Sequence, residues 1–202
     1  QMGYDACVAA TDAPVEQGSV GAGTGCRIGA FAGNELASKG GIGSAMIDFG
    51  DGLMVAALVA VNSVGDVLNE DGTVLAGLRN AENPETFVGM MNAMRSLVRM
   101  PQPPATSNTV IGVVATNAKL SKEHVNKVAQ MAHDGLARAI SPSHTMFDGD
   151  TIFALATGEI LANVSAIGAF AAEAVSQAIR NGIRSATTLG GVRAVRPQDL
   201  ES

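Results

Sequence analysis

The chain has no tryptophan and one tyrosine, and aromatic residues of all kinds make up 3% of its 202 residues. A nucleic-acid groove built on base stacking has no platform in such a composition. Cationic side chains are the minority: 13 Lys and Arg stand against 19 Asp and Glu, a net charge of −6, which disfavours a surface that tracks phosphates. Two cysteines, Cys7 and Cys26, are too few for a disulfide framework. With no basic-then-apolar leader at the start, they point to a reducing, cytoplasmic setting. The longest apolar run, Leu53–Val61, is nine residues, well short of the roughly 20 that a membrane helix needs. The first residue is Gln1 rather than an initiator Met, so the sequence reads as a processed product or a fragment.

What the chain has in quantity is small and apolar. Hydrophobic residues reach 47% and glycines number 24, enough for one compact α/β domain over 1–202. Gly3 to Ala10 reads as the tail of a helix. Nine glycines crowd Gly18 to Gly43, a density that suits close backbone approach better than a side-chain core. Ser44–Phe49 and Leu53–Val61 read as strands joined by a Gly50-Asp51-Gly52 turn. The second is apolar on both faces, as in a strand covered from two sides, and Asn62 lies at its end. Pro84–Met100 is predicted as a helix with Phe87, Met90, Met91, Met94, Leu97 and Val98 on one side.

Met100–Ser107 is the clearest break, since its prolines forbid both helix continuation and ladder pairing. Thr109–Thr116 follows as a β-branched strand, and Ser121 is a plausible cap for a helix to Ile140 carrying Val125, Val128, Ala129, Ala132, Leu136 and Ile140 as its stripe. A loop with Pro142 leads to an Asp148-Gly149-Asp150 turn, a strand over Thr151–Ala156 and an Ala-rich helix from about Leu161 to Arg184. The link from Gly158 to that helix is short, and the tail after Thr188 reads as loose. No internal repeat is evident.

Several candidates for chemistry have ordinary readings. Gly21–Gly25 resembles a phosphate loop, but its third glycine is one residue early for a dinucleotide fingerprint and no GK[ST] ending follows. His124, His133 and His144 are nine and eleven residues apart, no metal-ligand spacing, so no metal is expected; His133 reads as a hydrogen bonder on a helix flank. The Asp148–Asp150 turn lacks the further acids of a calcium loop. Asn108-Thr109 stands out by position: if the bond before Thr109 were cut, one residue would carry both a hydroxyl and a free α-amine able to act as its base. On residue types alone, an ordinary strand start remains the other reading.

Six stretches change that balance: GSVGAGTGCRIG (Gly18–Gly29), KGGIGSA (Lys39–Ala45), LVAVNSVGD (Leu58–Asp66), NTVIGVVATN (Asn108–Asn117), AHDGLARAI (Ala132–Ile140) and DGDTIFALATG (Asp148–Gly158). Together and in this order, they resemble the self-cleaving aminopeptidase family that includes the L-aminopeptidase/D-esterase, β-peptidyl aminopeptidases and the nylon-oligomer hydrolase. The resemblance implies a four-layer α/β/β/α sandwich of the ornithine acetyltransferase type. It implies autocatalytic scission between Asn108 and Thr109, with an α-chain of 1–108 and a β-chain of 109–202 remaining associated.

Thr109 would be the N-terminal nucleophile of a hydrolase acting on amide or ester bonds of small amino-terminal substrates. Asn62 would donate its side-chain amide to the oxyanion. Asp148 and Asp150 match the pair that orients the nucleophile and its amine, and Lys39 matches a lysine near the cleavage site, where it could otherwise be a surface charge. No cofactor is implied, and a homo-oligomer, commonly a tetramer of α/β units, is. Family members carry an upstream segment with a GGSA-type run and an active-site tyrosine that do not occur here; Tyr4 falls in a different stretch. The expectation is a chain whose N-terminal portion is missing, with strands and a pocket wall absent. The alternatives are a related acyltransferase and a non-catalytic Gly/Ala-rich domain, both of which keep the fold.

Overall fold

The computed structural model describes residues 1–99 and 108–195. The Met100–Ser107 break lies outside the described residues. After an exposed helix α1 (Met2–Val8), a short pair β1 (Arg27–Ile28) and β2 (Ser38–Lys39) precedes the long strands β3 (Gly41–Asp48) and β4 (Met54–Val61). Two small strands, β5 (Asp66–Leu68) and β6 (Val74–Ala76), and a short helix α2 (Met90–Arg95) complete the first half. The second half runs β7 (Ile111–Ala118), α3 (Lys122–Ala139), β8 (Ile140–Ser141), β9 (Thr151–Ile160) and α4 (Val164–Arg184).

The long strands form one sheet in the order β3-β4-β7-β9, and β6-β5-β8 form a second, smaller one. The pairings β3–β4 and β4–β7 are antiparallel, whereas β7 and β9 are parallel, so α3 serves as their crossover. Val55, Ala57, Val59 and Val61 of β4 and Val114 of β7 are buried with Ile167, Ala171, Val175 and Ile179 of α4. Ser121 caps α3 by accepting the His124 N–H at 3.3 Å, and Asn163 caps α4 through the Ala166 N–H at 3.1 Å, each satisfying an orphan first-turn donor. Among the described residues no helix is long and apolar enough to cross a membrane.

The glycine density has a packing cause. A Cβ on Gly43 would lie 2.0 Å from the Ala178 carbonyl oxygen and 2.3 Å from the Gly182 nitrogen, so β3 and α4 touch backbone to backbone. Bulk is excluded from that seam, and the loss of large side chains elsewhere is offset by this close approach.

Several expectations need correction. β4 is buried on one face only: Met54, Ala56, Leu58 and Ala60 are half-buried, and beside them Met46, Ile111, Phe153 and Leu155 are exposed on the sheet. The helix expected over Pro84–Met100 is confined to Met90–Arg95. Arg79 holds the Pro84 carbonyl at 2.7 Å, and the Thr86 carbonyl accepts the Asn80 N–H at 2.9 Å. Those bonds bend the first half back into a loop, which leaves Met91 and Val98 exposed rather than on an apolar stripe. The first ladder residue of the next strand is Ile111, not Thr109, and β9 continues past Ala156 to Ile160. The tail is not loose up to Val195: Val192 and Val195 are buried, and Arg79 donates to the Ala194 carbonyl at 3.1 Å.

The backbone seam sets a stability test. Gly43→Ala should lower the unfolding free energy by about 3 kcal/mol, the upper range for overpacking. Gly25→Ala, where an added Cβ meets nothing within 4 Å, should change it by less than about 0.5 kcal/mol. Urea unfolding of the two variants beside the parent chain measures both.

Candidate active site

The central strand β7 begins between its two neighbours, and register decides what lies there. Ala60 pairs with Ile111 across the antiparallel edge, and Ile111 pairs with Thr151 across the parallel one. Continuing each ladder by two residues sets Asn62 opposite Thr109 on one side and Gly149 opposite Thr109 on the other. The Thr109 N–H accordingly donates to the Asn62 carbonyl at 2.8 Å. Asn108 is bridged to Asp148, and its carbonyl accepts the Gly149 N–H at 3.0 Å. Thr109, Asn108, Asn62 and the Asp148–Asp150 turn are thus one cluster.

The Asn108 carbonyl accepts two hydrogen bonds within it. Besides the Gly149 N–H it accepts the Thr109 hydroxyl at 2.5 Å. A Cβ on Gly149 would lie 3.1 Å from that hydroxyl oxygen, so a glycine at this turn keeps the hydroxyl uncrowded. Asn108 is buried and Thr109 half-buried. Chemically, this is a hydroxyl held beside an amide carbonyl that already receives a backbone donor, in a place with little water to compete.

The carboxylates hold the backbone on either side. Asp148 accepts the Val64 N–H at 3.0 Å and the Thr145 hydroxyl at 2.6 Å. Asp150 accepts the Val110 N–H at 3.0 Å, and its other oxygen receives the His144 N–H at 3.2 Å and His144 Nδ1 at 2.9 Å. Neither carboxylate bonds Thr109 itself; each fixes a residue next to the cluster. Asn62 Oδ1 accepts the Arg27 N–H at 3.0 Å. A backbone donor demands the oxygen there, so the amide is oriented and its Nδ2 faces away from β1.

Lys39 is neither a surface charge nor bonded to Thr109. It is 2% exposed, and its ammonium donates to the carbonyls of Gly23 at 2.8 Å, Cys26 at 3.0 Å and Gly40 at 2.9 Å. All three N–H groups are therefore used. Burial holds the Lys39 ammonium below the usual lysine range, and the neighbouring Cys26 opposes that shift; burial likewise pushes the Cys26 thiol up, against the pull of Lys39. The link to the cluster is indirect, through Arg27, the strand partner of Lys39 that also bonds Asn62. Within Gly21–Gly25 the Gly23 carbonyl turns toward a cation, the reverse of a phosphate cradle, whose N–H groups must point inward.

Two participants escaped the reading by residue type. The Gly149 N–H is a main-chain group and leaves no side-chain signature. His144 carries no metal-ligand spacing, and its only sequence signal is its place six residues before Asp150 in the same loop. Among the described residues no group of His, Cys, Asp and Glu is arranged to hold a metal ion.

Removing the Lys39 ammonium leaves three buried carbonyls without a donor. Lys39→Met should lower the unfolding free energy by at least about 3 kcal/mol, given roughly 1–3 kcal/mol per stranded polar group. Chemical denaturation monitored by circular dichroism measures it, and a change below about 1 kcal/mol would mean that the charge is not satisfied as described.

With this geometry in place, comparison with known proteins identifies the family. Residues 1–196 match Peptidase family S58. The chain is 37% identical over 215 residues to an uncharacterized aminopeptidase of Mycobacterium leprae, covering 95% of this chain and 55% of that protein. Among solved structures it is similar to a Burkholderia sp. beta-aminopeptidase, with TM-score 0.68 and 26% identity over 98% of this chain and 56% of the other. It also shares the fold of an L-aminopeptidase D-Ala-esterase/amidase from Ochrobactrum anthropi, described as a variant of the Ntn hydrolase fold, with TM-score 0.63, 21% identity and coverage of 94% and 52%. The chain therefore spans a little over half the length of these proteins, and its mixed α/β sheet-and-helix architecture is that of the Ntn-hydrolase aminopeptidases. On the match across nearly its whole length, the chain belongs to peptidase family S58.

Proposed function

We propose that this chain belongs to an N-terminal-nucleophile hydrolase that activates itself by scission between Asn108 and Thr109. The observation that carries the reading is the Thr109 hydroxyl lying 2.5 Å from the Asn108 carbonyl oxygen, which also accepts the Gly149 N–H at 3.0 Å. Thr109 Oγ1 adds to the Asn108 carbonyl carbon, and the Gly149 N–H stabilises the oxyanion that forms. The C–N bond breaks as the nitrogen takes up the hydroxyl proton, which leaves an ester. Water then hydrolyses the ester, giving the Asn108 carboxylate and a free Thr109 α-amine.

The amine so released stays beside the Asn62 carbonyl that held it as an amide. Its reference pKa of about 7.7–8.0 suits a base that takes the proton from its own hydroxyl. In turnover that hydroxyl attacks the scissile amide or ester, the Asn62 amide donates to the oxyanion, and water releases the acyl group. Asp148 and Asp150 keep Val64 and Val110, and with them the two strand ends, in place. Lys39 acts through Arg27 by holding the β1–β2 pair against Asn62.

Segments 1–108 and 109–202 remain associated in this reading, because the sheet crosses the cut: β4 pairs with β7 from Val55 and Thr116 to Ala60 and Ile111. The substrate class is a small peptide, amide or ester with a free amino end, in line with the beta-aminopeptidase and esterase/amidase names of the structural relatives. A homo-oligomer of α/β units, a tetramer by family resemblance, is the proposed assembly.

Denaturing intact-mass spectrometry tests the first step. The 20.4 kDa chain should resolve into two species corresponding to residues 1–108 and 109–202. Thr109→Ala should remain a single species and show no turnover of an aminoacyl amide. A Thr109→Ala chain that still splits, or a parent chain that never does, would sink the mechanism.

A further inference from the structure

Beside the cluster stand two histidines, His133 and His144, that the proposed chemistry does not use. His144 is the one non-glycine residue with positive φ among the described residues, at 55°. It spends that strain on Asp150: its backbone N–H and its ring Nδ1 both reach the same carboxylate oxygen, at 3.2 and 2.9 Å. The Asp150 carboxylate is 4% exposed, whereas the His144 ring remains 40% exposed. The opposite carboxylate oxygen holds the Val110 N–H at 3.0 Å, one residue after Thr109. On its outer side the His144 ring packs against His133 of α3, with centroids 5.1 Å apart and ring planes at 55°.

We propose that His144 is a positioning residue for self-scission, clamping Asp150 onto the Val110 N–H and so holding the Thr109 hydroxyl on the Asn108 carbonyl. The proposal rests on the self-scission reading above. Backbone strain at a non-glycine residue persists only where surrounding contacts over-determine it, and here those contacts are the two bonds to one buried carboxylate. Without them, Asp150 keeps a single partner and can turn toward water.

Charged groups face the His133–His144 pair from both elements. Asp150 lies on one side, Asp134 stands next to His133 on α3, and Asp148 in the same loop is engaged by Thr145. Burial, then the facing His144, holds His133 below the usual histidine range, while Asp150 and Asp134 pull the other way.

Asparagine makes the distinguishing variant. It tolerates positive φ better than other non-glycine residues, and its Nδ2 can occupy the place of the ring Nδ1 without carrying charge. Scission is followed by intact mass at neutral pH in the parent chain, His144→Ala and His144→Asn, each checked for cooperative thermal unfolding. His144→Ala should split at least about tenfold more slowly than the parent, as misplacement of a reacting group predicts. His144→Asn, which keeps a donor to Asp150, should split within about threefold of the parent.

Equal slowing in both variants would overturn the clamp, as would an unaffected His144→Ala. Amide hydrogen exchange at Val110 reports the clamp without reference to scission. It should be slow in the parent and in His144→Asn, and at least about tenfold faster in His144→Ala, as the opening of a single hydrogen bond allows. If the parent chain does not split, the self-scission reading falls. The exchange measurement then decides the clamp alone, and unchanged Val110 exchange in His144→Ala would overturn it.

Discussion

The register of β7 between β4 and β9 is the constraint on which the candidate site depends. Because Ala60 pairs with Ile111 and Ile111 with Thr151, the residues just before β7 fall between the exit of β4 and the turn into β9. A slip of one residue would turn every side chain of the strand to the other face. It would also separate Thr109 from Asn62 and the Asn108 carbonyl from the Gly149 N–H. What protects the register is the burial of one face: Val114 and Ala118 of β7 and Val55, Ala57 and Val59 of β4 sit in the main core under α4. The polar cluster and the apolar core thus stabilise the same alignment, one from the end of the strand and the other from its face.

Away from the sheet, buried charged side chains fasten loops by their backbone. Lys39 gathers the carbonyls of Gly23, Cys26 and Gly40. Asp66 accepts the Leu78 N–H at 3.0 Å and also the Met90 N–H, and burial raises its carboxyl above the usual range in spite of those two bonds. Arg79 ties Pro84 to Ala194, and Arg180 on α4 reaches the Leu68 carbonyl at 2.9 Å. A chain with so few aromatic residues has little bulk with which to pin long connections. Hydrogen bonds from a charged group to backbone, worth roughly 1.5–3 kcal/mol each, do that work instead.

The same economy explains the misreadings. The stretch before Met90 has a helical spacing of Phe87, Met90, Met91 and Met94, yet Arg79 and Asp66 take its backbone groups for non-local bonds, and propensity yields to them. β4 is apolar on both faces, as read, but the described residues cover only one; the other belongs to the open side of the sheet, where Met46, Ile111 and Phe153 are exposed. The tail beyond Thr188 looked loose because it carries no periodicity. It is held by single contacts, such as the Lys39 N–H to the Arg193 carbonyl at 2.7 Å, which leave no pattern along the chain.

Local order was legible from the residues alone. The β-branched run at Thr109–Thr116, the Gly50-Asp51-Gly52 turn, the Ser121 cap and the stripe along α3 are set by neighbours within a few positions, where sterics and periodicity act directly. The grouping of Asn62, Asn108, Thr109, Asp148 and Asp150 was legible only through motif order, since no local rule links residues so far apart. The partners of those residues were decided by the tertiary structure: Arg27 bonds Asn62 across 35 positions and Val64 bonds Asp148 across 84. Burial of Lys39 and the seating of His144 on Asp150 belong to the same class. They arise from strand register and from the need to satisfy every buried polar group once the chain has closed on itself, and neither condition exists before it does.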